Sequence, residues 1–224
     1  QNGLGNVEQL ARLFPPEQIF GGLCFVCLNR IAPGVIRHTD HGHIVLGQFA
    51  GPPGARAREL AAMFRQAGVP CELAANLAQA HWEKLTWNIP FNGLGVAGVA
   101  GYEAVVRGRL APDQPLGPVL STDRLLDGGR WEGLVRELIL EVVTAARTLG
   151  LKLPEGLVEQ QIARTRTMGA YKASTLLDFE QGRPLELEAL FLEPLRRATQ
   201  AGASVPRLAA LSSLLSQLQA RRQS

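Results

Sequence analysis

The chain has 224 residues, 46% of them hydrophobic and 19% charged, with a formal net charge of +3. That composition supports a sizeable core and argues against wholesale disorder. The small positive excess, part of it the Arg221-Arg222 tail, gives nucleic-acid binding little support, and no run of about 18 apolar residues marks a membrane span. No signal peptide is visible, and the three cysteines, Cys24, Cys27 and Cys71, cannot all pair with one another. They read as reduced thiols of a cytoplasmic protein. The chain opens on Gln1 and runs straight into QNGLGN, so an upstream segment is expected to be missing.

In chain order, Asn6 is a candidate N-cap for a helix over VEQLARLF, ended by Pro15-Pro16. IFGGLCFVCLNRI and GVIRHTDHGHIVLGQF are rich in β-formers. The second contains a hairpin signal at Asp40-His41-Gly42. ARARELAAMFRQAG is an amphipathic helix closed by Gly68, and VPCELAAN is a candidate strand. From about residue 76 helices take over, beginning with NLAQAHWEKLTWNIPFNGLGVA. After the Pro/Gly-rich GRLAPDQPLGP come four more helical runs, within residues 126–150, 153–169, 185–202 and 206–222. Pro154, Pro184 and Pro206 stand near helix starts, while Gly150 and Gly202 suit C-terminal caps. The fold class is therefore α/β over residues 1–75 followed by an all-α domain over residues 76–224.

The stretch HWEKLTWNIPFNG carries Lys84, Asn88 and Asn92 at four-residue steps. Each step advances about 400° around a helix, so the three side chains form one continuous stripe. Trp82, Leu85, Trp87, Ile89 and Phe91 surround it. A polar stripe in an apolar band is either a snorkelling lysine with two satisfied amides or the lining of a polar pocket. Pro90 cannot donate to the carbonyl of Thr86, so the helix is expected to kink or widen there.

In YKASTLLDFEQGRPLELEALF, Ser174 and Thr175 are candidates to cap a turn. Arg183-Pro184 leads into a helix whose first turn carries Glu186 and Glu188. Acidic groups there favour the helix dipole, and one of them facing a buried lysine would hold its ammonium in place. His38, Asp40, His41 and His43 lack a metal-ligand frame, and Cys24-x-x-Cys27 lies on a strand that sends the two thiols to opposite faces; no metal site is expected. GLGVAG matches G-x-G-x-x-G at Gly93, Gly95 and Gly98. It follows a helical stripe rather than a strand, so the glycines read as close-packing positions.

Taken together, QNGLGN, HWEKLTWNIPFNGL, STLLDFEQGRPLELEAL and GASVPRLAAL resemble, in order and in register, motifs of the ketopantoate reductase (2-dehydropantoate 2-reductase) family. The resemblance runs over essentially the whole chain. It implies that residues 1–75 are the C-terminal part of a Rossmann-type dinucleotide domain. Residues 76–224 would be a helical substrate domain of the phosphogluconate-dehydrogenase-like kind. It implies NADPH-dependent reduction of 2-dehydropantoate to pantoate, on the route to pantothenate and coenzyme A.

By the same resemblance Lys84 is the catalytic acid, and Asn88, Asn92 and Ser174 bind substrate. Glu186 orients Lys84 or meets substrate or the nicotinamide ribose, and Asn2 meets the nicotinamide end of the cofactor. Some family members carry asparagine where Tyr171 stands, which leaves the identity of the 2-oxo acid open. The implied partners are a small 2-oxo acid and, as an assembly, a homodimer; no nucleic acid and no membrane are expected. Two alternatives stand beside this reading: a non-catalytic helical dimerisation or ligand-binding module, and a related reductase acting on another 2-oxo acid.

Overall fold

The structure, a computed structural model, describes residues 2–223; the side chains of Asn29, Thr39, Asp40, His41 and Gln223 are not part of that description. The chain forms two compact units, Gln1–His81 and Trp82–Ser224.

In the first unit, α1 (Asn6–Leu10) precedes the long strands β1 (Phe20–Ala32) and β2 (Val35–Gln48), which are followed by α2 (Ala55–Gln66) and β3 (Cys71–Leu73). The three-stranded sheet has the order β1-β2-β3, with β1 antiparallel to β2 and β2 parallel to β3. A parallel pair needs a crossover, and α2 supplies it, giving a β-α-β unit. Leu46, Ala61 and Cys71 pack between this helix and the sheet. A second cluster gathers Val7, Ile19, Leu23 and Leu77. Gly21 lies opposite Gly47 across β1 and β2. Both make room for Leu77: a Cβ on Gly21 would come 2.7 Å from its Cδ2, and one on Gly47 would come 2.9 Å from its Cβ.

Two local expectations are corrected. Asn6 lies inside α1 rather than capping it; Gly5, at φ 93°, holds the cap position and the Asn6 amide donates to the Asn2 carbonyl. The helix stops at Leu10, well before Pro15. The hairpin turns at Pro33-Gly34, not at Asp40-His41-Gly42. The register pairs Phe25 with His43 and then Val26 with His41, so Gly42 is an extra residue in a β-bulge, taken up at φ 136°. Periodicity on both sides of Gly42 belongs to one continuous strand. His43 stacks on Phe25 at 4.5 Å. The side chains of Asp40 and His41, named in the metal reading, lie outside the described residues. No group of three or more candidate ligands occurs among the described residues, and no described helix is long and apolar enough to cross a membrane. No disulfide joins Cys24, Cys27 and Cys71; Cys24 is exposed and Cys27 buried.

The division between units falls within α3 (Leu77–Asn88). That helix continues as a π-helical turn, Ile89–Leu94, then α4 (Gly95–Ala97), a 3₁₀ turn and α5 (Tyr102–Arg107). The widening expected at Pro90 is this π turn: without an N–H, residue 90 cannot close the ordinary four-residue ring. Next come α6 (Thr122–Leu125), α7 (Arg130–Thr148), α8 (Leu157–Arg166) and α9 (Ser174–Glu180). A second π turn, Glu188–Leu192, leads into α10 (Glu193–Gln200), and α11 (Pro206–Gln223) follows. Pro194, the second residue of α10, stands two positions past that second π turn, where it likewise withholds a donor. The helix expected to follow Arg183-Pro184 starts only at Leu187.

Buried Leu134, Leu138, Ile139 and Val142 of α7 and Leu208, Leu211, Leu215 and Leu218 of α11 make the centre of this unit. Each such side chain contributes roughly 1.5–3 kcal/mol of burial free energy. Gly93, Gly95 and Gly98 permit close approach, as their sequence context suggested. A Cβ on Gly93 would come 2.6 Å from Leu211, and one on Gly95 would come 2.6 Å from Leu176 and 3.0 Å from the Leu120 carbonyl. A Cβ on Gly98 would collide with Leu120.

Candidate active site

The polar stripe lies on the last turns of α3 and on the π turn that continues it. Lys84 is half-buried, while Asn88 and Asn92 are 5% and 2% exposed. Two amides so deeply placed must be hydrogen-bonded or they destabilise the fold. The Thr175 N–H donates to Asn92 Oδ1 at 3.1 Å across a separation of 83 residues. Asn92 Nδ2 in turn donates to Asn88 Oδ1 at 3.5 Å. Asn92 thus caps α9 from another helix, because Thr175 is the second residue of α9 and its N–H has no partner within the helix. Neither Ser174 nor Thr175 caps its own turn.

A second contact fixes the same segment. The Tyr171 ring lies 6.3 Å from Trp87, and Trp87 stacks on Phe91 at 5.2 Å. Residues 171–175 therefore run along the stripe, touching it near Trp87 at one end and at Asn92 at the other. Exposed Ser174 falls between those two contacts, next to the Asn92 amide. Behind Tyr171, buried Thr122 holds the backbone both ways: its N–H donates to the Tyr171 carbonyl at 3.0 Å and its hydroxyl accepts the Tyr171 N–H at 3.1 Å.

The helix bearing the stripe is itself clamped to α8. Trp87 Nε1 donates to Thr165 Oγ1 at 2.9 Å, Thr165 donates to the Gln161 carbonyl, and Gln161 Nε2 donates to Thr86 Oγ1 at 3.2 Å. Thr86, Gln161 and Thr165 are all buried. Sequence reasoning missed this clamp, although Gln161 and Thr165, one turn apart on an amphipathic helix, were its signal. Beside the stripe, burial pushes the Glu83 carboxyl up, partly countered by the charge of Arg164.

Glu186 is exposed, and its carbonyl accepts the Leu190 N–H as the second π-bearing helix begins. That helix packs on the first π turn, with Phe191 against Gly93. Glu188 is committed elsewhere, in an ion pair with Arg196 at 2.5 Å. This leaves Glu186 as the acidic candidate of the pair. Asn2 belongs to the first unit, where it is half-buried in a turn with Gly3 and Gly5 at positive φ.

Arg166 grips Glu132 of α7 through bonds of 2.8 and 2.7 Å to its two oxygens, and also donates to the Leu126 carbonyl. Burial alone would raise the Glu132 carboxyl; the hydrogen bonds from Arg166 and Arg136 outweigh it and hold the group below the usual carboxylate range. This network joins α7 to α8, the helix that clamps the stripe.

Two descriptions of one family match the chain: "Ketopantoate reductase PanE/ApbA" over residues 1–51 and "Ketopantoate reductase PanE/ApbA C terminal" over residues 118–219. The 2-dehydropantoate 2-reductase of Nostoc sp. is 34% identical over 213 residues, 93% of this chain and 60% of the relative. The crystal structure of 2-dehydropantoate 2-reductase from Geobacter metallireducens superposes with a TM-score of 0.84 at 42% identity, covering 97% of this chain and 66% of that one. The Methylococcus capsulatus enzyme gives 0.84 at 32% identity, covering 100% and 65%. The chain therefore spans less than two thirds of the length of these relatives. The matches lie at both ends of the chain, and the relatives align with nearly all of it, so its fold is the end of a Rossmann domain followed by a helical C-terminal domain. The chain belongs to the ketopantoate reductase family.

Proposed function

We propose that the protein reduces a 2-oxo acid, with 2-dehydropantoate as substrate and pantoate as product, in a cytoplasmic biosynthetic setting. The observation that carries this reading is the bonded chain Asn88–Asn92–Thr175, which sets Ser174 beside the stripe that begins with Lys84. A scaffold has no evident use for such a polar line in its core. When bound, NADPH supplies the hydride that reduces the ketone carbon. Asn2 is the contact proposed for the cofactor in the first unit, in a turn whose two positive-φ glycines leave backbone open to a close ligand. Glu186 is proposed, within the helical unit, to orient Lys84 and to meet the substrate or the nicotinamide ribose.

Reduction turns the ketone oxygen into an alkoxide, which needs a positive neighbour and a proton. The Lys84 ammonium supplies both: it stabilises the developing charge and donates a proton to that oxygen, leaving a neutral amine and the alcohol. Asn88 and Asn92 are proposed to hold the hydroxyl and carboxylate ends of the substrate, with Ser174 at the carboxylate. A homodimer is the proposed assembly.

The test is an assay of the full-length protein with NADPH and 2-dehydropantoate, run beside other 2-oxo acids. 2-Dehydropantoate is expected to give the highest kcat/KM. Lys84→Ala is expected to lower kcat by about two to four orders of magnitude while the circular-dichroism spectrum is retained. Turnover near wild type in that variant would reject the role given to Lys84.

A further inference from the structure

The acidic candidate Glu186 sits at the end of a short connection, and the last turns of α11 hold that connection in place. The chain leaves α9 through Gly182, at φ 76°. Arg183 then folds back on the helix it has left: its N–H donates to the Asp178 carbonyl at 2.9 Å and its Nε donates to Asp178 Oδ1 at 2.6 Å. Pro184 has no N–H to give. The Leu185 N–H donates to Gln219 Oε1 at 3.0 Å, across a separation of 34 residues. Glu186 follows, and its carbonyl accepts the Leu190 N–H at 3.1 Å. One turn beyond Gln219, the Arg222 guanidinium lies 4.2 Å from the centre of the Phe179 ring. Gln219 and Arg222, at i and i+3 on one face of α11, therefore bracket the connection at both ends.

Buried Leu185 and Leu187 flank exposed Glu186. Their burial holds the segment against the core, but apolar contact is non-directional and leaves the backbone free to roll. A hydrogen bond is directional. We infer that Gln219 is a positioning residue: by accepting the Leu185 N–H it fixes the peptide plane ahead of Glu186, and so the direction in which the Glu186 carboxylate points. The inference rests on the role proposed for Glu186 and extends it to the C-terminal helix. Gln219 acts through Leu185 and Glu186 rather than on the substrate. Without it the Leu185 N–H would turn toward another acceptor, and a shift of about an ångström at a catalytic group is enough to slow a reaction severely. A backbone N–H can only donate, so position 219 must carry an acceptor. Glutamate keeps such an oxygen at the same reach; leucine fills similar space without one.

The test is a double-mutant cycle on kcat/KM for 2-dehydropantoate, measured with NADPH in the full-length protein. Glu186→Gln is expected to lower kcat/KM by about ten- to a hundredfold and to leave a measurable rate. Gln219→Leu is expected to lower it about tenfold, and Gln219→Glu to recover most of the wild-type value. In the Glu186→Gln background, Gln219→Leu should change kcat/KM by less than about twofold, since the group it positions is gone. A smaller folded fraction would lower the rate by the same factor in both backgrounds, so the coupling separates positioning from stability. Hydrogen exchange at the Leu185 amide should quicken about tenfold in Gln219→Leu and stay slow in Gln219→Glu. An equal loss in both backgrounds, or a Gln219→Leu protein as active as wild type, overturns this inference and leaves the role of Glu186 standing. Wild-type activity in Glu186→Gln overturns both.

Discussion

Glu132 shows how a single carboxylate can carry a pH dependence. Its pKa is lower in the folded chain than in the unfolded one, because bonds from Arg166 and Arg136 outweigh the effect of burial. A lowered carboxyl pKa contributes stability that is fully present above the unfolded value and is lost as pH falls through the folded one. Glu132→Gln is therefore expected to lower denaturant stability by about 1–3 kcal/mol at neutral pH, toward the smaller figure because Arg166 is half exposed. The gap between variant and wild type should close as pH drops below about 4. Denaturation curves at several pH values would read it; a gap constant with pH would contradict the assignment. Ser212 offers the opposite case. Its hydroxyl is buried and has no hydrogen-bond partner among the described residues. Ser212→Ala removes an unsatisfied group and improves helix propensity, so thermal unfolding should show unchanged or higher stability, by up to about 1 kcal/mol.

At the scale of elements, two helices are capped by side chains from elsewhere in the sequence. Asn92 caps α9, and both carboxylate oxygens of Glu141 accept N–H groups at the start of α11, from Arg207 and Leu208, each at 2.9 Å. Burial pushes the Glu141 carboxyl up, and those two N–H groups partly reverse it. Both caps tie helix ends to the core through a few atoms, which periodicity in the sequence cannot report. The helices themselves were legible, because α7 and α11 repeat apolar residues at helical spacing and their ends carry Gly150 and Pro206. The stripe was legible for the same reason: it is local. The link to Thr175 is not local, so the residues alone suggested Ser174 and Thr175 only as caps of their own turn, and the substrate role of Ser174 came from the family resemblance. The hairpin was misread because Asp40-Gly42 has turn-forming composition, and a bulge uses the same residues. The glycines opposite Leu77 give a graded prediction. Gly47→Ala meets the Leu77 backbone as well as its side chain, with Cα at 3.2 Å, whereas Gly21→Ala meets only movable atoms. Gly47→Ala should cost about 1–3 kcal/mol in denaturant titration and Gly21→Ala measurably less.

Across the whole molecule, protection from exchange should follow burial. The amides of α7 and α11, whose inward side chains are almost wholly buried, are expected to exchange slowest. The tip of the β1–β2 hairpin should exchange fastest within the sheet, since Ile31, Val35 and Ile36 are exposed there. Hydrogen-exchange mass spectrometry resolves both segments, and a protected tip would mean that something covers it in solution.

The π turn at Ile89–Leu94 accommodates one residue more than a regular helix would need for the same advance. That surplus is absorbed within the turn, so the segment after it keeps its rotational phase. A further residue inserted between Asn88 and Gly95 would find the slack already used and swing the following segment by about 100°. Gly95 and Gly98 would then turn away from Leu176 and Leu120, and larger side chains would arrive where only hydrogen fits. The length of this short segment is therefore constrained as tightly as its composition: a one-residue insertion should be harsher here than most substitutions.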